Sequence, residues 1–368
     1  MFVFVCAGCG AELTTPLSQV ALPVHAHQKY GSGAQLPVLM ESGTFAVSPD
    51  PWDGPWRTWE ERDPGEAEAR GIPAPVHAQS DGAPGASVVA PGDVRGTRLL
   101  PERLGGACCG LDGGDGPNMA CEECGLPVAT RLDDCSLWQA VWFEAGAVRR
   151  LPVGSGPAAA PSWAELVARG EPTPPFEAIA TWGGRLGTSH YWSWSPRWEA
   201  AAGHALAHLL VASEGQPVKV PDGLAADVFQ PALDALLPAG APERRAVLAG
   251  PGRPSPGAGV DILLVPIHPR TGQAWSPAGP TGSVHLVPLP LGVWLWLVSP
   301  RPHLPVPASG QLPPEVVRDD PLPPLPRCLL RADWGTFQHT LVRLPAARSP
   351  WLRTTLEKLS HGAWYRMF

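Results

Sequence analysis

Short apolar runs alternate with turns rich in proline and glycine, and few segments keep a long helical period. The aromatic and β-branched run at residues 2–5 predicts a strand. Residues 20–27 predict a second strand, which Pro23 confines to a sheet edge. Residues 87–89 and 97–100 predict a small strand pair. The first part of the chain is therefore expected to be rich in β-structure.

Helical patterns become frequent further along the chain. Asp133 or Asp134 is expected to cap a helix that continues to about residue 145, with Leu137 and Val141 one turn apart on its apolar face. A capping box at residues 162–165 opens a short helix that a glycine at position 170 ends. Two longer helices are predicted by apolar spacing at residues 197–212 and 221–237.

The remaining elements of the second half are predicted as extended or irregular. Strands are expected at residues 260–267, 284–289, 293–298 and 337–344, and a tryptophan-rich loop is expected over residues 181–198. The proline-dense stretch at residues 300–326 is typical of polyproline-like backbone. Pro350 is expected at the first turn of a final helix.

Length and composition indicate a folded protein with two domains, or with one domain that carries large excursions. The chain has 368 residues, and 47 prolines and 41 glycines interrupt its regular structure. Its 16 tryptophans argue against wholesale disorder, because large aromatic residues are rare in chains that cannot form a core. Residues 151–161 are the best linker candidate, which divides the chain into domains at residues 1–150 and 162–368.

Charge and hydropathy narrow the classes of function. The formal net charge is −7 and no basic cluster occurs, so nucleic-acid binding is disfavoured. The most apolar stretch, residues 289–298, is much shorter than a membrane span. The N-terminus has no basic leader of a signal peptide. We therefore expect a cytoplasmic protein whose cysteines stay reduced.

Two matching cysteine turns are the sharpest chemical signal. They read Cys6-Ala-Gly-Cys9-Gly and Cys121-Glu-Glu-Cys124-Gly. One C-x-x-C turn presents two sulfurs to a metal ion, and a structural Zn²⁺ takes four soft or nitrogen ligands in a tetrahedron. A glycine after the second cysteine permits the positive φ of such a turn. The sequence therefore predicts structural Zn²⁺.

These turns resemble the zinc knuckles of zinc-ribbon proteins, and the resemblance covers only the knuckles and the strand before the first. It implies a structural metal and often a binding surface, but no particular activity. Together with the predicted elements, we expect an α+β protein with an N-terminal zinc-ribbon-like β-rich domain and a C-terminal α+β domain rich in Pro and Trp loops. Because a long stretch of chain separates Cys9 from Cys121, such a ribbon carries a large irregular insertion.

Two separate metal sites are the alternative to one ribbon. His25 and His27 are candidate partners for the first cysteine turn. Cys109 (or Cys108) and Cys135 are candidate partners for the second turn, which lies between them in the sequence. We favour the single ribbon, and the second site stays open.

Two further groups are weaker candidates for chemistry. His204 and His208 lie one helical turn apart and can bind a metal, but Ala205 stands where a metalloprotease has its glutamate base. The pattern favours a packed pair. The loop around His190 offers two groups of ligand-binding candidates, an arginine for an anion and indoles as stacking platforms, although an aromatic mini-core is favoured there. These candidates are Arg185, Trp192 and Trp194.

The leading functional hypothesis is a cytosolic structural-zinc protein that acts by binding another protein or regulating it. It depends on the strong metal ligands, the negative charge and the lack of a complete catalytic set in the sequence. The alternative is a small-molecule enzyme with a C-terminal pocket around His190, His204 and His208.

Overall fold

The computed structural model describes residues 1–30, 33–50, 56–58, 63–72, 78–80, 84–105, 110–154, 159–183, 187–240, 243–277, 284–299, 330–352 and 354–355. These residues form a mixed α+β fold with several sheets, as the sequence predicts. Within them, no helix combines the length and the apolar character needed to cross a membrane.

The first half of the chain is mostly β-structure. Among its described residues it contains one short α-helix, α1 (Pro64–Ala69), and two single-turn 3-10 helices, Pro91–Asp93 and Pro101–Arg103. Its strands are β1 (Phe2–Cys6), β2 (Ser18–Gln19), β3 (Ala34–Gln35), β4 (Thr44–Val47), β5 (Trp56–Thr58), β6 (Ala78–Ser80), β7 (Ser87–Val89), β8 (Thr97–Leu99), β9 (Met119–Cys121), β10 (Pro127–Leu132), β11 (Ala140–Phe143) and β12 (Val148–Pro152).

A seven-stranded sheet in the order β2-β4-β7-β11-β10-β9-β8 organises this half, and β1 pairs antiparallel with β12 beside it. The insertion expected between the cysteine turns supplies β2, β4, β7 and β8 to this sheet, and most of its other described residues lie outside helices and strands. The central strand β11 is buried on both faces, and alternate residues belong to different cores. Val141 and Phe143 enter one core, and Ala140 and Trp142 enter the other.

The core on the Phe143 face holds β1 against the sheet. Phe4 is fully buried and stacks on Phe143 with ring centroids 5.4 Å apart. It also meets the edge of Phe45 at 5.1 Å. The buried cysteines Cys6 and Cys121 belong to this same core. The first strand therefore reaches the sheet through apolar packing on the side where the cysteine turns lie.

The second half combines a hairpin, a parallel sheet and helices. Its strands are β13 (Phe176–Gly183), β14 (Gly187–Trp194), β15 (Val218–Lys219), β16 (Arg244–Leu248), β17 (Ile262–Ile267) and β18 (His285–Pro290). Its helices are α2 (Trp163–Arg169), α3 (Pro196–Ser213), α4 (Leu224–Leu236), α5 (Leu291–Val298) and α6 (Trp334–Leu341). Residues 350–352 and 354–355 are also helical, which agrees with the helix predicted to open at Pro350.

The four strands β15-β16-β17-β18 run parallel in sequence order. Their largest core lies on one face, where α3, α4 and α5 contribute buried side chains. Strand β17, Ile-Leu-Leu-Val-Pro-Ile, is buried along almost its whole length, as expected for a parallel strand covered on both faces.

The two halves of the chain are joined by a shared sheet and by buried polar contacts. Strand β3 pairs with β13, so that residues from both sides of position 151 form one small sheet. Gln28 is buried, accepts from Trp138 Nε1 at 3.3 Å and donates to the Pro196 carbonyl at 3.0 Å. Arg343 Nε lies 3.0 Å from Asp50 Oδ2. The division at residues 151–161 stays a prediction.

Several predicted elements are confirmed because local signals determine them. Helix α2 has the capping box of Ser162 and Glu165 and ends at Gly170 in the left-handed conformation. Helices α3 and α4 lie where the apolar spacing predicted them. Strands β1, β7, β8, β17 and β18 are also present, but β7 and β8 do not pair with each other.

Two predictions from apolar spacing are wrong. The helix expected from Asp133 or Asp134 to residue 145 is replaced by β11, because four consecutive residues are buried between two neighbouring strands. The strand expected at residues 293–298 is helix α5. An apolar run without periodicity fits a buried helix as well as a buried strand, and here it packs against β17 and β18.

Three other predictions are wrong for local reasons. The strand expected at residues 337–344 is largely helix α6. Asp333 caps the N-terminus of this helix, because its side chain accepts a hydrogen bond from the Thr336 N–H. Residues 20–27 form a turn rather than a strand. The tryptophan-rich loop is the hairpin β13–β14, whose alternating polar and aromatic residues are typical of a strand.

Candidate metal centre

The two cysteine turns have the same backbone hydrogen bonds. In the first, Gly10 N–H donates to the Cys6 carbonyl at 2.9 Å, and Cys6 N–H donates to the Ala11 carbonyl at 2.8 Å. In the second, Gly125 N–H donates to the Cys121 carbonyl at 2.9 Å, and Cys121 N–H donates to the Leu126 carbonyl at 2.9 Å. Each turn thus closes identically between its first cysteine and the residues that follow.

Glycine is required after the second cysteine of each turn. Both Gly10 and Gly125 have a positive φ, which places them in a region that residues with a Cβ rarely adopt. The second turn connects β9 to β10, and the first connects β1 to the chain that runs back beside it. Both turns are therefore tight hairpin tips.

The fold brings the four sulfur atoms together. Cys6 Sγ lies 3.5 Å from Cys124 Sγ, and Cys9 Sγ lies 3.6 Å from Cys121 Sγ. All four sulfurs lie within 4.8 Å of one another. Zn–S bonds of about 2.3 Å in a regular tetrahedron give sulfur–sulfur edges of about 3.8 Å. The observed spacing is therefore compatible with one zinc-knuckle site.

The cluster lies where the core meets the surface. Cys6 and Cys121 are fully buried, whereas Cys9 and Cys124 are exposed. Each turn thus contributes one cysteine from the core side and one from the solvent side. Among the described residues, these four are the group of His, Cys, Asp or Glu side chains placed closely enough to hold an ion.

The thiols differ in their tendency to ionise. Burial raises the pKa of Cys6, but N–H bonds from Cys9 and Gly8 and the contact with Cys124 lower it, with a net value of about 7. Burial raises the pKa of Cys121, and its contacts with Cys9 and Cys6 raise it further. One thiolate therefore forms readily, and further negative charge at this spacing needs a cation to offset it.

The histidines proposed for a second site lie away from the four sulfurs. His25 packs on Trp138 with ring centroids 4.4 Å apart. His27 stacks on Trp142 at 5.5 Å and lies 5.3 Å from the His339 ring. Burial lowers the pKa of His25 to about 3 and that of His27 to about 4. Both imidazoles are therefore neutral side chains packed against the core that contains Trp138 and Trp142.

The cysteines proposed for a second site are also separate from the cluster where they are described. Cys135 is buried in the segment between β10 and β11, and it is not among the four clustered sulfurs. Cys109 lies outside the described residues. The described structure thus assembles one four-sulfur group from the predicted ligands.

His204 and His208 are in contact with each other, as their spacing on α3 predicts. Their ring centroids lie 4.8 Å apart, and His204 Nδ1 lies 3.2 Å from Thr340 Oγ1 on α6. Burial lowers the pKa of His204 to about 3 and that of His208 to about 4. The buried His204 Nε2 has no hydrogen-bond partner among the described residues. The pair is packed and neutral between two helices.

The candidate ligand loop is described only in part. Arg185 and the side chains of His190 and Trp192 lie outside the described residues. Trp194 is buried and packs on Phe176 with ring centroids 4.2 Å apart, which forms a small aromatic cluster at the base of the hairpin.

Sequence reasoning missed two groups of charged residues. Asp50 Oδ2 lies 3.4 Å from His339 Nε2 on α6 and 3.0 Å from Arg343 Nε just after α6, and these contacts connect the end of α6 to the first half of the chain. Lys219 and Arg245 are register partners on neighbouring parallel strands. Neither group leaves a local motif, because the residues meet only through the tertiary fold.

No family model, curated protein or solved structure matches the chain.

Proposed function

We propose that the four cysteines bind one structural Zn²⁺ in a zinc-ribbon-like arrangement. The observation that carries this proposal is the crossed pair of sulfur contacts, Cys6 with Cys124 and Cys9 with Cys121, at close to tetrahedral spacing. Four thiolates favour zinc among the common divalent ions, and they leave no coordination position open for a substrate. This closed ligand set supports a structural role for the metal.

The ion would connect parts of the chain that are distant in sequence. Strand β1 belongs to a two-stranded pair with β12 and is not a member of the seven-stranded sheet. The hairpin β9–β10 is part of that sheet. Bound metal would therefore join the β1–β12 ribbon to the sheet at its tip, where the apolar core ends.

We propose further that the stapled region is a protein-binding or regulatory module. Both hairpin tips are exposed, and the second carries two carboxylates, Glu122 and Glu123, beside the metal ligands. Such tips offer a rigid surface whose shape depends on the metal. A protein partner with a basic patch would complement the two carboxylates.

The enzyme alternative has weaker support. Its residues His204 and His208 are packed against each other, and the buried Nε2 of His204 has no partner in the described part of the chain. A general base needs access to the proton it removes, and burial holds the pKa of both imidazoles well below neutrality. The pair therefore fits a packing role better than a catalytic one.

Metal analysis tests the metal proposal. Inductively coupled plasma mass spectrometry of the purified full-length protein is expected to give one zinc per chain. Cys9→Ser/Cys124→Ser, which removes one exposed ligand from each turn, is expected to lose it. Cys135→Ser and His25→Ala are matched controls and are expected to keep it. Iron in place of zinc, or a second zinc that Cys135→Ser removes, would contradict the proposal.

Charge reversal tests the binding surface. Proteins enriched by the wild-type chain are compared with those enriched by Glu122→Lys/Glu123→Lys, with zinc content verified for each. Glu41→Lys, which reverses an exposed charge elsewhere, is the control. We expect a partner retained by wild type and control and lost by the double variant. Equal recovery with all three proteins would refute a partner at these tips.

A further inference from the structure

The parallel sheet has two unlike faces. Alternate residues of its strands point to opposite faces. On one face, residues such as Ala246 and Leu264 pack in the large helical core. On the other face, residues such as Val247, Leu263 and Val265 belong to a small apolar cluster with loop residues such as Trp275. Parallel sheets are normally covered on both faces. In the described structure, the second face is buried at β17, whereas Lys219 on β15 and Arg245 on β16 are exposed on it.

The two cationic residues lie side by side on that face. Lys219 and Arg245 are register partners on β15 and β16, so their side chains leave the sheet on the same face. Both are exposed, and neither has a hydrogen bond or ion pair from its side chain to a described residue. Two cations at neighbouring positions repel each other unless an anion offsets them.

Arg244, the residue before Arg245 on the same strand, has the ion pair that Arg245 lacks. Arg244 points to the other face, where it forms an ion pair with Glu214 and donates to the Ala212 carbonyl at 3.0 Å. Arg245 has no such carboxylate partner in the described structure. Its backbone is bound to Asp261, whose Oδ2 accepts from the Arg245 N–H at 2.8 Å and whose N–H donates to the Arg245 carbonyl at 3.0 Å. Arg244 and Arg245 therefore differ in the partners of their side chains, although they are neighbours on one strand.

A cleft adjoins the unpaired cations. Strand β15 ends at Lys219, and the chain then leaves the sheet, so that β16 continues without a neighbour on that side. The resulting cleft has a volume of about 380 Å³, which suits a small molecule. Val220, Val247 and Leu248 provide apolar lining, and a third cation, Arg253, comes from the turn after β16.

The charge of the cleft favours an anionic occupant. Three cationic side chains line it, and Asp222 is the one acidic residue among its described lining, whereas the chain as a whole carries a net charge of −7. Guanidinium groups bind phosphate through paired hydrogen bonds, and a lysine ammonium adds a point charge. The apolar lining beside Arg245 can accommodate a hydrocarbon group attached to the phosphate.

We propose that this cleft binds a small organic phosphate monoester. The phosphate lies between Lys219 and Arg245, with Arg253 at the rim, and the carbon part of the ligand packs on Val247. The site is independent of the four cysteines, so the proposal does not depend on the metal.

Phenyl phosphate is a suitable probe because it joins a phosphate to an apolar ring. Isothermal titration calorimetry on the full-length protein at low salt is expected to show saturable binding. Inorganic phosphate is expected to bind more weakly, since it makes no contact with the apolar lining. Arg245→Gln and Lys219→Gln are each expected to weaken phenyl phosphate binding about tenfold. Arg98→Gln, an exposed arginine on β8, is the control and is expected to leave binding unchanged.

Each other outcome would overturn the proposal. Absence of saturable binding to phenyl phosphate would exclude the site. Equal loss in Arg98→Gln and Arg245→Gln would indicate a nonspecific charge effect. Equal affinity for benzoate and phenyl phosphate would refute the assignment to phosphate. Arg253→Gln provides a second variant if Arg245→Gln does not fold, and unaltered binding in it and in Lys219→Gln would exclude the cleft.

Discussion

The metal proposal predicts a large and local loss of stability when the ion is removed. The perturbation is chelation of the wild-type protein, or the variant Cys9→Ser/Cys124→Ser. Both altered cysteines are exposed, so the substitutions leave the buried core unchanged. The predicted effect comes from the difference in metal affinity between the folded and unfolded chains.

The length of chain between the two cysteine turns determines how much free energy of folding the bound metal contributes. In the folded state the two turns already lie with their sulfurs 3.5 and 3.6 Å apart. An unfolded chain must close the long loop between Cys9 and Cys121 to place both turns on one ion. For a loop of about 100 residues, the entropy of such closure is about 5 kcal/mol. Saturating metal should therefore stabilise the folded state by about 5 kcal/mol, and chelation should remove that contribution.

Native-state hydrogen exchange gives the appropriate assay, because it reports opening at individual segments. Amides of β1 and of the β9–β10 hairpin are expected to exchange about 10³- to 10⁴-fold faster after chelation. Amides of α3 serve as an internal control and should change much less. In the double cysteine variant, chelator should have no further effect. Unchanged exchange in β1 on chelation, or an equal chelator effect in wild type and variant, would refute the reasoning.

Three further predictions concern the buried polar groups and helix packing. Because burial lowers the folded-state pKa of His25 and of His204 to about 3 from 6.5, their contribution to stability is present above the unfolded pKa and is lost as the pH falls below it. Between a pH above 6.5 and pH 5, the unfolding equilibrium constant should therefore rise about thirtyfold for each histidine. Urea-unfolding free energies that stay the same between those two pH values would contradict this prediction. Burial and a nearby carboxylate raise the pKa of Glu199 to about 8 from 4.5, so stability is lost as the pH rises through that interval. Glu199→Gln should therefore stabilise the protein by roughly 1–4 kcal/mol near pH 8 and by little near pH 4.5, and an equal effect at both pH values would contradict this. Gly203→Ala should lower the melting temperature, because its Cβ would lie 2.4 Å from a backbone oxygen at the start of α6, whereas Gly146→Ala, with nothing within 4 Å, should not. The cost of the first substitution should be about 1–3 kcal/mol, and equal melting temperatures for the two variants would contradict this.

The candidate site could be predicted from the sequence as far as its signals are local. The spacing in each C-x-x-C-G turn specifies two sulfurs and a positive-φ glycine without reference to the rest of the chain. The approach of Cys6 to Cys124 is not a local property. It depends on β1 packing through Phe4 against a sheet whose strands come from both sides of the second turn. The sequence therefore supports both the one-site and the two-site interpretations.

The secondary structure could likewise be predicted where its signals are local and not where tertiary surroundings decide it. Helices α2 and α3 carry capping or periodic signals that neighbours in sequence determine. The runs that became β11 and α5 are apolar at nearly every position, and only their surroundings decide between strand and helix. The alignment of Lys219 with Arg245 is still less accessible to sequence reasoning, since the crossover through α4 sets the register of β15 against β16.

Loss of the metal should affect β1 and the β9–β10 hairpin, and it should leave the parallel sheet β15–β18 unchanged. Strand β1 is hydrogen-bonded as a strand to β12 and contacts the seven-stranded sheet through the core around Phe4 and through the clustered sulfurs. Without the ion, the hairpin tips lose their mutual attachment, whereas the parallel sheet keeps its own helical core. A partner that recognises Glu122 and Glu123 should therefore bind in a metal-dependent manner, while phenyl phosphate binding at Arg245 should survive chelation. Measuring both in the same chelated sample separates the two proposals.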